Sequence, residues 1–233
     1  MEYPEYPYES RVSTSKDFMY KVYGWMSFAL ALTAGIAFYI SKNPALYAPF
    51  EKNYLLLIGL FIFQLILVIV ISAAIMRISF PVALGAFLIY AASVGITLSF
   101  IFKIYTEASI YTTFLVTAGM FGITCLYGYF TKADLTSVGS FAFMGLIGLI
   151  LGGIVNIFLK SSGFDFFLSV VGVLVFTLLT AYDAQKIKQI ANRFMASEET
   201  RKKIAILGAL TLYLDFINLF LYLLRFFGQK REN

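Results

Sequence analysis

The chain has 233 residues, of which 60% are hydrophobic and only 13% are charged, and its mean hydropathy is +0.83. Soluble domains carry roughly 25% charged residues, so this composition excludes an ordinary soluble protein. The apolar residues form long runs instead of the ~10-residue alternating segments of a membrane β-barrel. The sequence therefore predicts an all-α membrane protein. Its net charge of +5 is spread over loops and ends, which indicates membrane topology and not nucleic-acid binding.

The N-terminal residues 1–18 are acidic and rich in tyrosine, and they lack the basic-then-apolar pattern of a signal peptide. We expect a disordered cytoplasmic tail here, with the first span acting as the insertion signal. Seven apolar runs follow, each near the ~20 residues that a spanning helix needs. The predicted spans are Met19–Ile40, Tyr54–Met76, Pro81–Phe102, Ser109–Phe130, Val138–Leu159, Phe164–Ile187 and Ile204–Phe227. Together they predict a bundle over residues 19–228, followed by a short tail at 229–233.

The distribution of lysine and arginine predicts how the spans are oriented. Most connections are short, such as Arg77–Phe80, whereas Lys186–Lys203 is long and carries many charges. The positive-inside rule then places the N-terminus in the cytoplasm. The charge rule alone favours a last segment that re-enters, because the basic C-terminal residues would join the cytoplasmic side. The length of that segment favours a full span, and we adopt seven full spans.

The fifth predicted span is rich in glycine, with Gly145, Gly148, Gly152 and Gly153. Gly148 and Gly152 have the small-xxx-small spacing that lets two helix backbones approach closely. We expect these glycines to pack inside the bundle. A dimer interface along the same face is the alternative.

Two acidic residues lie within predicted spans. Asp215 is in the middle of the last apolar run, and Asp183 lies near the end of the preceding one. An aspartate at the centre of a membrane helix costs about 2.5 to 3.5 kcal/mol on insertion scales, which favours a functional role. For Asp183, an ion pair with Lys186 at the membrane surface is the alternative. Because the chain has no histidine, carboxyl groups would take the switching role that histidine has elsewhere.

A polar stripe runs along the last predicted helix. Thr211, Asp215, Asn218, Tyr222 and Arg225 follow one another at steps of three and four residues. This spacing places them on one face of a helix. A polar face on an apolar helix belongs inside the bundle, where it would support the acidic site. For Thr211 and Asn218, hydrogen bonding between helices is the alternative role.

Arg77 closes the second span and falls, in the predicted topology, on the same side as Asp183. Two carboxyl groups in a poorly hydrated pocket cannot both ionise cheaply, so Asp183 and Asp215 should titrate as a pair. A protonated pair can share a hydrogen bond that joins two helices. An ionised pair repels, and its oxygen atoms are candidate ligands for a cation such as Ca²⁺. The three residues therefore predict a pH-sensitive ion gate.

Four segments carry a resemblance to a known family: TKADLTS (Thr131–Ser137), TAYDAQKIK (Thr180–Lys188), ALTLYLDFINLFLYLLRFFG (Ala209–Gly228) and KVYGWM (Lys21–Met26). They resemble the Bax inhibitor-1 family, also called the transmembrane Bax inhibitor motif family, in its bacterial branch. The similarity covers nearly the whole chain after the first eighteen residues.

The resemblance implies a seven-helix bundle in which the last helix is central and wrapped by the other six. It also implies a pH-sensitive calcium leak, in the inner membrane of a bacterium. It assigns Asp183 and Asp215 to a di-aspartyl pH sensor, and Arg77 to the arginine that engages this sensor in a bacterial relative. A glutamate in that relative's second span has no counterpart. Ile66 takes its place and Gln64 is the nearest polar residue.

Two other classes match parts of the pattern. An intramembrane aspartyl protease would use Tyr182–Asp183 and a second acid, but Leu212–Leu214 replace the glycines that admit its substrate. A non-conducting regulator that binds other membrane proteins is the stronger alternative, because a polar stripe can also simply hold a bundle together. We expect no enzymatic activity and no tightly bound cofactor. The expected partners are the lipid bilayer and calcium as the permeant ion.

Overall fold

The computed structural model describes the backbone of residues 8–193 and 197–231, with the side chains of those ranges except at 8–15, 44 and 192–193. Within these ranges the chain is helical and forms no β-strand. The helices are α1 (Tyr8–Ser41), α2 (Pro44–Lys52), α3 (Tyr54–Ala74), α4 (Phe80–Leu98), α5 (Ile101–Ile104), α6 (Glu107–Phe130), α7 (Thr136–Leu159), α8 (Ser162–Arg193) and α9 (Glu198–Phe227).

Seven stretches of helix are long and apolar enough to cross a membrane, which confirms the prediction of an all-α protein with seven spans. They are Lys16–Ser41, Tyr54–Ala74, Phe80–Ile104, Glu107–Phe130, Thr136–Leu159, Ser162–Ala191 and Glu198–Phe227. The most apolar stretch of the last span is 67% buried, whereas that of the second span is 6% buried. This contrast favours a central place for α9, although its wrapping by six helices stays a prediction.

Three segments differ from the sequence-based expectations. Helix α1 begins at Tyr8, so the expected disorder through residue 18 is wrong from residue 8 onward, and residues 1–7 lie outside the described part. A short helix at Pro44–Lys52 was not predicted; its proline sits at the first position, which tolerates a missing N–H. The polar connection Lys186–Lys203 is largely helical, because α8 continues to Arg193 and α9 begins at Glu198.

The helical extension into this polar connection has a local cause. Glu198 and Lys202, one turn apart, form an ion pair of 2.8 Å on the first turn of α9. Glutamate, lysine and arginine are good helix formers, and a helix already nucleated by a span gains one hydrogen bond per added residue. Charge thus marks the membrane boundary without ending the helix.

The chain forms two compact units. The first comprises residues 1–100 and 187–210, and in it α1 and α3 both pack against α4. The hydroxyl of Thr33 donates to the carbonyl of Ala91 at 2.8 Å. Lys203 is only 8% exposed, and its ammonium donates to the carbonyl of Met76 at 3.3 Å. A lysine at the start of α9 therefore satisfies a carbonyl just after the end of α3.

The second unit comprises residues 101–186 and 211–233. In it α8 approaches two helices at glycines. A Cβ atom at Gly128 of α6 would overlap the carbonyl of Ala181, and one at Gly139 of α7 would overlap the ring of Tyr182. Only glycine allows a backbone this near. The stretch of α8 that carries Asp183 is therefore held closely by both α6 and α7.

The glycines of the fifth predicted span fall into two groups. A Cβ at Gly145 would meet Val175, and one at Gly152 would meet Leu168, at 2.7 Å in both cases. Gly148 and Gly153 have nothing within 4 Å of the same point. Packing within the second unit thus uses Gly145 and Gly152, which lie two turns apart on α7.

Helix α9 is continuous to Phe227. A full span requires an unbroken helix of this kind, whereas a re-entrant segment does not require one. Beyond it the chain pairs with the connection that precedes α6. Thr106 donates its N–H to the carbonyl of Gln229 at 3.0 Å, and Arg231 donates to the carbonyl of Ile104 at 2.9 Å. Within the second unit, the C-terminal tail therefore lies at the beginning of α6.

Candidate functional site

Asp215 is placed by the buried face of α9. It is 5% exposed, and its neighbours Tyr213 and Phe216 are 0% and 3% exposed. Phe216 packs edge-on against Phe121 of α6, with 5.3 Å between ring centroids, and against Phe114 at 5.4 Å. The residue that follows Asp215 is thus part of an apolar ring cluster between α9 and α6, and burial in such surroundings is costly for a charged group.

Asp183 reaches the same point from α8. The carboxyl groups of Asp183 and Asp215 lie within hydrogen-bonding reach of each other. A hydrogen bond between two carboxyl groups requires a proton on one of them, because an ionised carboxylate only accepts. The Oδ2 atom of Asp215 is buried and has no hydrogen-bond partner among the described residues. The structure thus brings these two predicted site residues together, and their role as a sensor stays a prediction.

Lys186 lies one turn beyond Asp183 on the exposed side of α8. Its ammonium is 5.4 Å from the ring centroid of Tyr182, a cation–π distance. Both Lys186 and Asp183 are described, and they form no close ion pair. Lys186 still acts on the Asp183 carboxyl through its charge, so the alternative role of Asp183 stays open beside its contact with Asp215.

The other residues of the predicted polar stripe make contacts of their own. The amide of Asn218 donates to the carbonyl of Leu214 in its own helix at 2.8 Å, so this hydrogen bond does not join two helices. The ring of Tyr222 stacks on Phe176 with 5.7 Å between centroids. Thr211 is half-buried.

At the far end of the stripe, Arg225 forms an ion pair of 3.3 Å with Asp165, and both side chains are more than two-fifths exposed. Such exposed pairs contribute little to stability. Of the five stripe residues, Asp215 is the one that is fully buried.

Arg77 lies in the turn after α3, which ends at Ala74. Its N–H donates to the carbonyl of Ala74 at 2.8 Å, and its side chain is exposed. Arg77 belongs to the first unit, whereas the two acids belong to the second. Its engagement with the acidic pair therefore stays a prediction.

Ile66, which stands where the bacterial relative has a glutamate, and Gln64, the nearest polar residue, both lie in the first unit. Ile66 is 52% exposed on α3, as expected of a side chain that faces lipid. Gln64 donates its amide to the carbonyl of Ser93 at 3.0 Å and to the hydroxyl of Thr97 at 2.7 Å. Gln64 thus joins α3 to α4.

The acidic pair is a small donor set for a metal ion. Among the described residues, no group of three or more histidine, cysteine, aspartate or glutamate side chains is close enough to hold a metal. Calcium takes six to eight oxygen ligands in a stable protein site. Asp183 and Asp215 could therefore supply only part of such a coordination shell.

Comparison with known proteins decides the family. The model of the family "Inhibitor of apoptosis-promoting Bax1" matches residues 15–232. The chain belongs to the Bax inhibitor-1 family. It is 50% identical over 215 residues to the inner membrane protein YbhL of Escherichia coli, with 92% of each chain covered. It is also 45% identical over 216 residues to an uncharacterized protein of Borreliella burgdorferi, with 93% of each chain covered.

Sequence reasoning missed one residue in this Bax inhibitor-1 family member. The side chain of Gln185 is 7% exposed and forms hydrogen bonds to two backbone groups of the α6–α7 connection, at Ala133 and Leu135. The sequence shows a glutamine near a helix end, which ordinarily faces water. Its partners lie far away in the chain, and only the fold brings them within reach.

Proposed function

We propose that this Bax inhibitor-1 family protein is a pH-sensitive calcium leak of the membrane, in which Asp183 and Asp215 form the proton sensor. The observation that carries this proposal is the direct approach of the two carboxyl groups, with Asp215 buried at 5% exposure. A purely structural contact would be served equally well by a neutral amide. A carboxyl pair adds a dependence on protons.

The magnitudes support a switch that acts through helix packing. Two like charges about 4 Å apart repel by about 4 kcal/mol at an effective dielectric constant of about 20. A polar contact between membrane helices contributes only ~0.6 kcal/mol on average. Ionisation of both Asp183 and Asp215 would therefore outweigh several such contacts between α8 and α9. The pair would hold the two helices together while it shares a proton and would separate them when it loses that proton.

Calcium is the proposed substrate of the leak. Ionised carboxylates are hard oxygen ligands, which Ca²⁺ prefers. Conduction also requires binding that is weak enough to release the ion. Two carboxylates, with water completing the coordination shell, meet both conditions. Arg77 is the proposed counter-charge, which would favour the ionised pair if the exposed turn after α3 reaches it.

We also propose the inner membrane of a bacterium as its location, since the relative from Escherichia coli is described as an inner membrane protein. The long basic connection around Lys186–Lys203 favours an N-terminus in the cytoplasm under the positive-inside rule. In this orientation the Asp183 end of α8 faces the cytoplasm. The sensor would then respond to cytoplasmic pH.

The proposal is tested with purified protein in liposomes that contain a calcium indicator, over a series of pH values. A calcium flux that depends on protein and changes with pH is the expected result. Absence of flux at every pH would favour the alternative, a non-conducting regulator that binds other membrane proteins. A flux that does not vary with pH would leave a channel but remove the sensor.

A further inference from the structure

The connection between α6 and α7, residues 131–135, has a fixed shape in the second unit. The hydroxyl of Thr131 accepts a hydrogen bond from the N–H of Ala133 at 3.2 Å. The carboxylate of Asp134 accepts two from Thr136, from its N–H at 2.9 Å and from its hydroxyl at 2.6 Å. Such local bonds are typical of the turn that precedes a helix. These hydrogen bonds therefore give the connection a defined turn conformation.

Gln185 of α8 holds this turn from the side. Its Oε1 atom accepts from the N–H of Leu135 at 2.9 Å, and its Nε2 atom donates to the carbonyl of Ala133 at 2.8 Å. The two bonds grip the backbone on both sides of Asp134, and their polarity fixes the orientation of the amide. Because Gln185 is 7% exposed and Leu135 is 5% exposed, loss of these bonds would leave buried polar groups unsatisfied.

Asp183 and Gln185 lie on opposite faces of α8. Residues two apart on an α-helix are about 200° apart around its axis. Asp183 faces Asp215 of α9, and Gln185 faces the turn between α6 and α7. The close approach of Ala181 and Tyr182 to glycines of α6 and α7 sets the distance of α8 from its neighbours. The two hydrogen bonds of Gln185 then set the rotation of α8 about its own axis.

We propose that Gln185 is a positioning residue for the Asp183–Asp215 pair, and that it couples the turn at residues 131–135 to the protonation of the pair. Since the pair is the proposed sensor, this inference rests on the proposed function. When the pair shares a proton, α8 keeps the rotation that Gln185 defines. When the pair ionises and α8 shifts, the two hydrogen bonds to the turn must change with it.

The titration of other charged groups near this site must be distinguished from the titration of the acidic pair. Within the second unit they are Lys132 and Asp134 in the turn and Lys186 on α8, all exposed. The two hydrogen bonds from Thr136 hold the pKa of Asp134 below its ordinary value of 3.8. Asp134 therefore loses its proton at a lower pH than an ordinary aspartate, and an Asp134→Asn variant removes its contribution.

The first test is Gln185→Met, which keeps the length of the side chain and removes both hydrogen bonds. Infrared spectroscopy follows the carboxyl absorbance of the pair against pH, with Asp215→Asn identifying its bands. In the unaltered protein we expect two titration steps, as for coupled carboxyls. In Gln185→Met the interval between them should narrow by about one pH unit, a tenfold change in proton affinity.

Two controls use the same substitution. Gln189→Met changes an exposed glutamine one turn further along α8. Gln64→Met removes two hydrogen bonds between α3 and α4 and so matches the loss of bonds elsewhere. Neither control variant should change the pH interval between the two titration steps of the acidic pair. An unchanged interval in Gln185→Met, or an equal narrowing in Gln64→Met, would overturn the proposal.

A second test needs no variant of Gln185 and so survives a failure of Gln185→Met to fold. The amide resonance of Leu135 is followed by nuclear magnetic resonance against pH in the Asp134→Asn background. It should move with the midpoint of the acidic pair and stop moving when Asp215→Asn is added. A Leu135 amide resonance that does not change at the midpoint of the acidic pair would overturn the proposed coupling. Because neither readout measures flux, a protein without calcium flux would refute the leak and leave this test intact.

Discussion

The carboxyl groups of Asp183 and Asp215 lie within hydrogen-bonding reach of each other between α8 and α9. Each acid alone would be costly in a membrane helix. In the proposed sensor the two acids share one proton, and the cost falls because one group becomes a donor to the other. The stability of the α8–α9 contact would then be linked to pH. A neutral hydrogen bond in the same place would provide the contact without that link.

Replacement of Asp215 by asparagine should remove the pH dependence of calcium flux. The amide keeps a hydrogen bond to Asp183 but cannot lose a proton, so the pair no longer exists as a titrating unit. Flux into liposomes over a pH series measures the effect. Asp165→Asn is the matched control, since Asp165 lies on α8 in an exposed ion pair and should leave the pH dependence unaltered. Persistent pH dependence in Asp215→Asn would rule out the sensor role.

Replacement of Arg77 by alanine should shift the midpoint of the flux to higher pH by about one unit or more, if the arginine acts on the pair. A cation nearby favours the ionised carboxylates, so its loss lets the pair keep its proton to higher pH. Arg77→Lys keeps the charge and should shift the midpoint less. A shift to lower pH, or no shift in either variant, would show that Arg77 acts elsewhere.

The contact of α7 with α8 gives a test that is independent of ion flux. Gly139→Ala should lower the free energy of unfolding by roughly 1–3 kcal/mol, because the added methyl group overlaps the ring of Tyr182. Gly148→Ala, on the same helix with open space at its Cβ position, should be neutral or stabilising by up to about 1 kcal/mol. Thermal unfolding in detergent micelles compares the two. Equal effects would contradict the close approach at Gly139.

The turn between α6 and α7 gives a test at low pH. Hydrogen bonds from Thr136 lower the pKa of Asp134 below its ordinary value of 3.8. The ionised carboxylate therefore stabilises the folded state at pH values above 3.8. Its contribution is lost as the pH falls through the lowered pKa. Thr136→Val removes the hydroxyl donor and keeps the backbone donor, so the pKa of Asp134 should rise part of the way toward 3.8. Nuclear magnetic resonance titration measures this, and an unaltered pKa would show that the hydroxyl does not act on Asp134.

Much of the fold could be read from the sequence because hydrophobic length is a local property. Seven runs long enough to span a bilayer predicted seven helices, and the structure has them. The helix at Pro44–Lys52 and the helical extensions of α8 and α9 were missed. These segments lie outside the apolar runs, where helix propensity and ion pairs such as Glu198–Lys202 decide the backbone.

The site was predictable in part for a similar reason. Asp215 stands out in the sequence because an acid in a long apolar run is expensive wherever the helix packs. Asn218 and Thr211 stood out for the same polarity, yet Asn218 turns to its own helix. Polarity in a span therefore marks a candidate, and it does not reveal the partner.

The sequence by itself determined the class of this protein, its spans and the two acids, because insertion energy depends on the residues of one helix at a time. Tertiary structure alone decided that Asp183 meets Asp215 and that Gln185 grips the backbone at Ala133 and Leu135. Such pairings depend on the rotation of each helix about its axis. That rotation is set by the close packing of glycines and rings from several helices at once, which no single segment encodes.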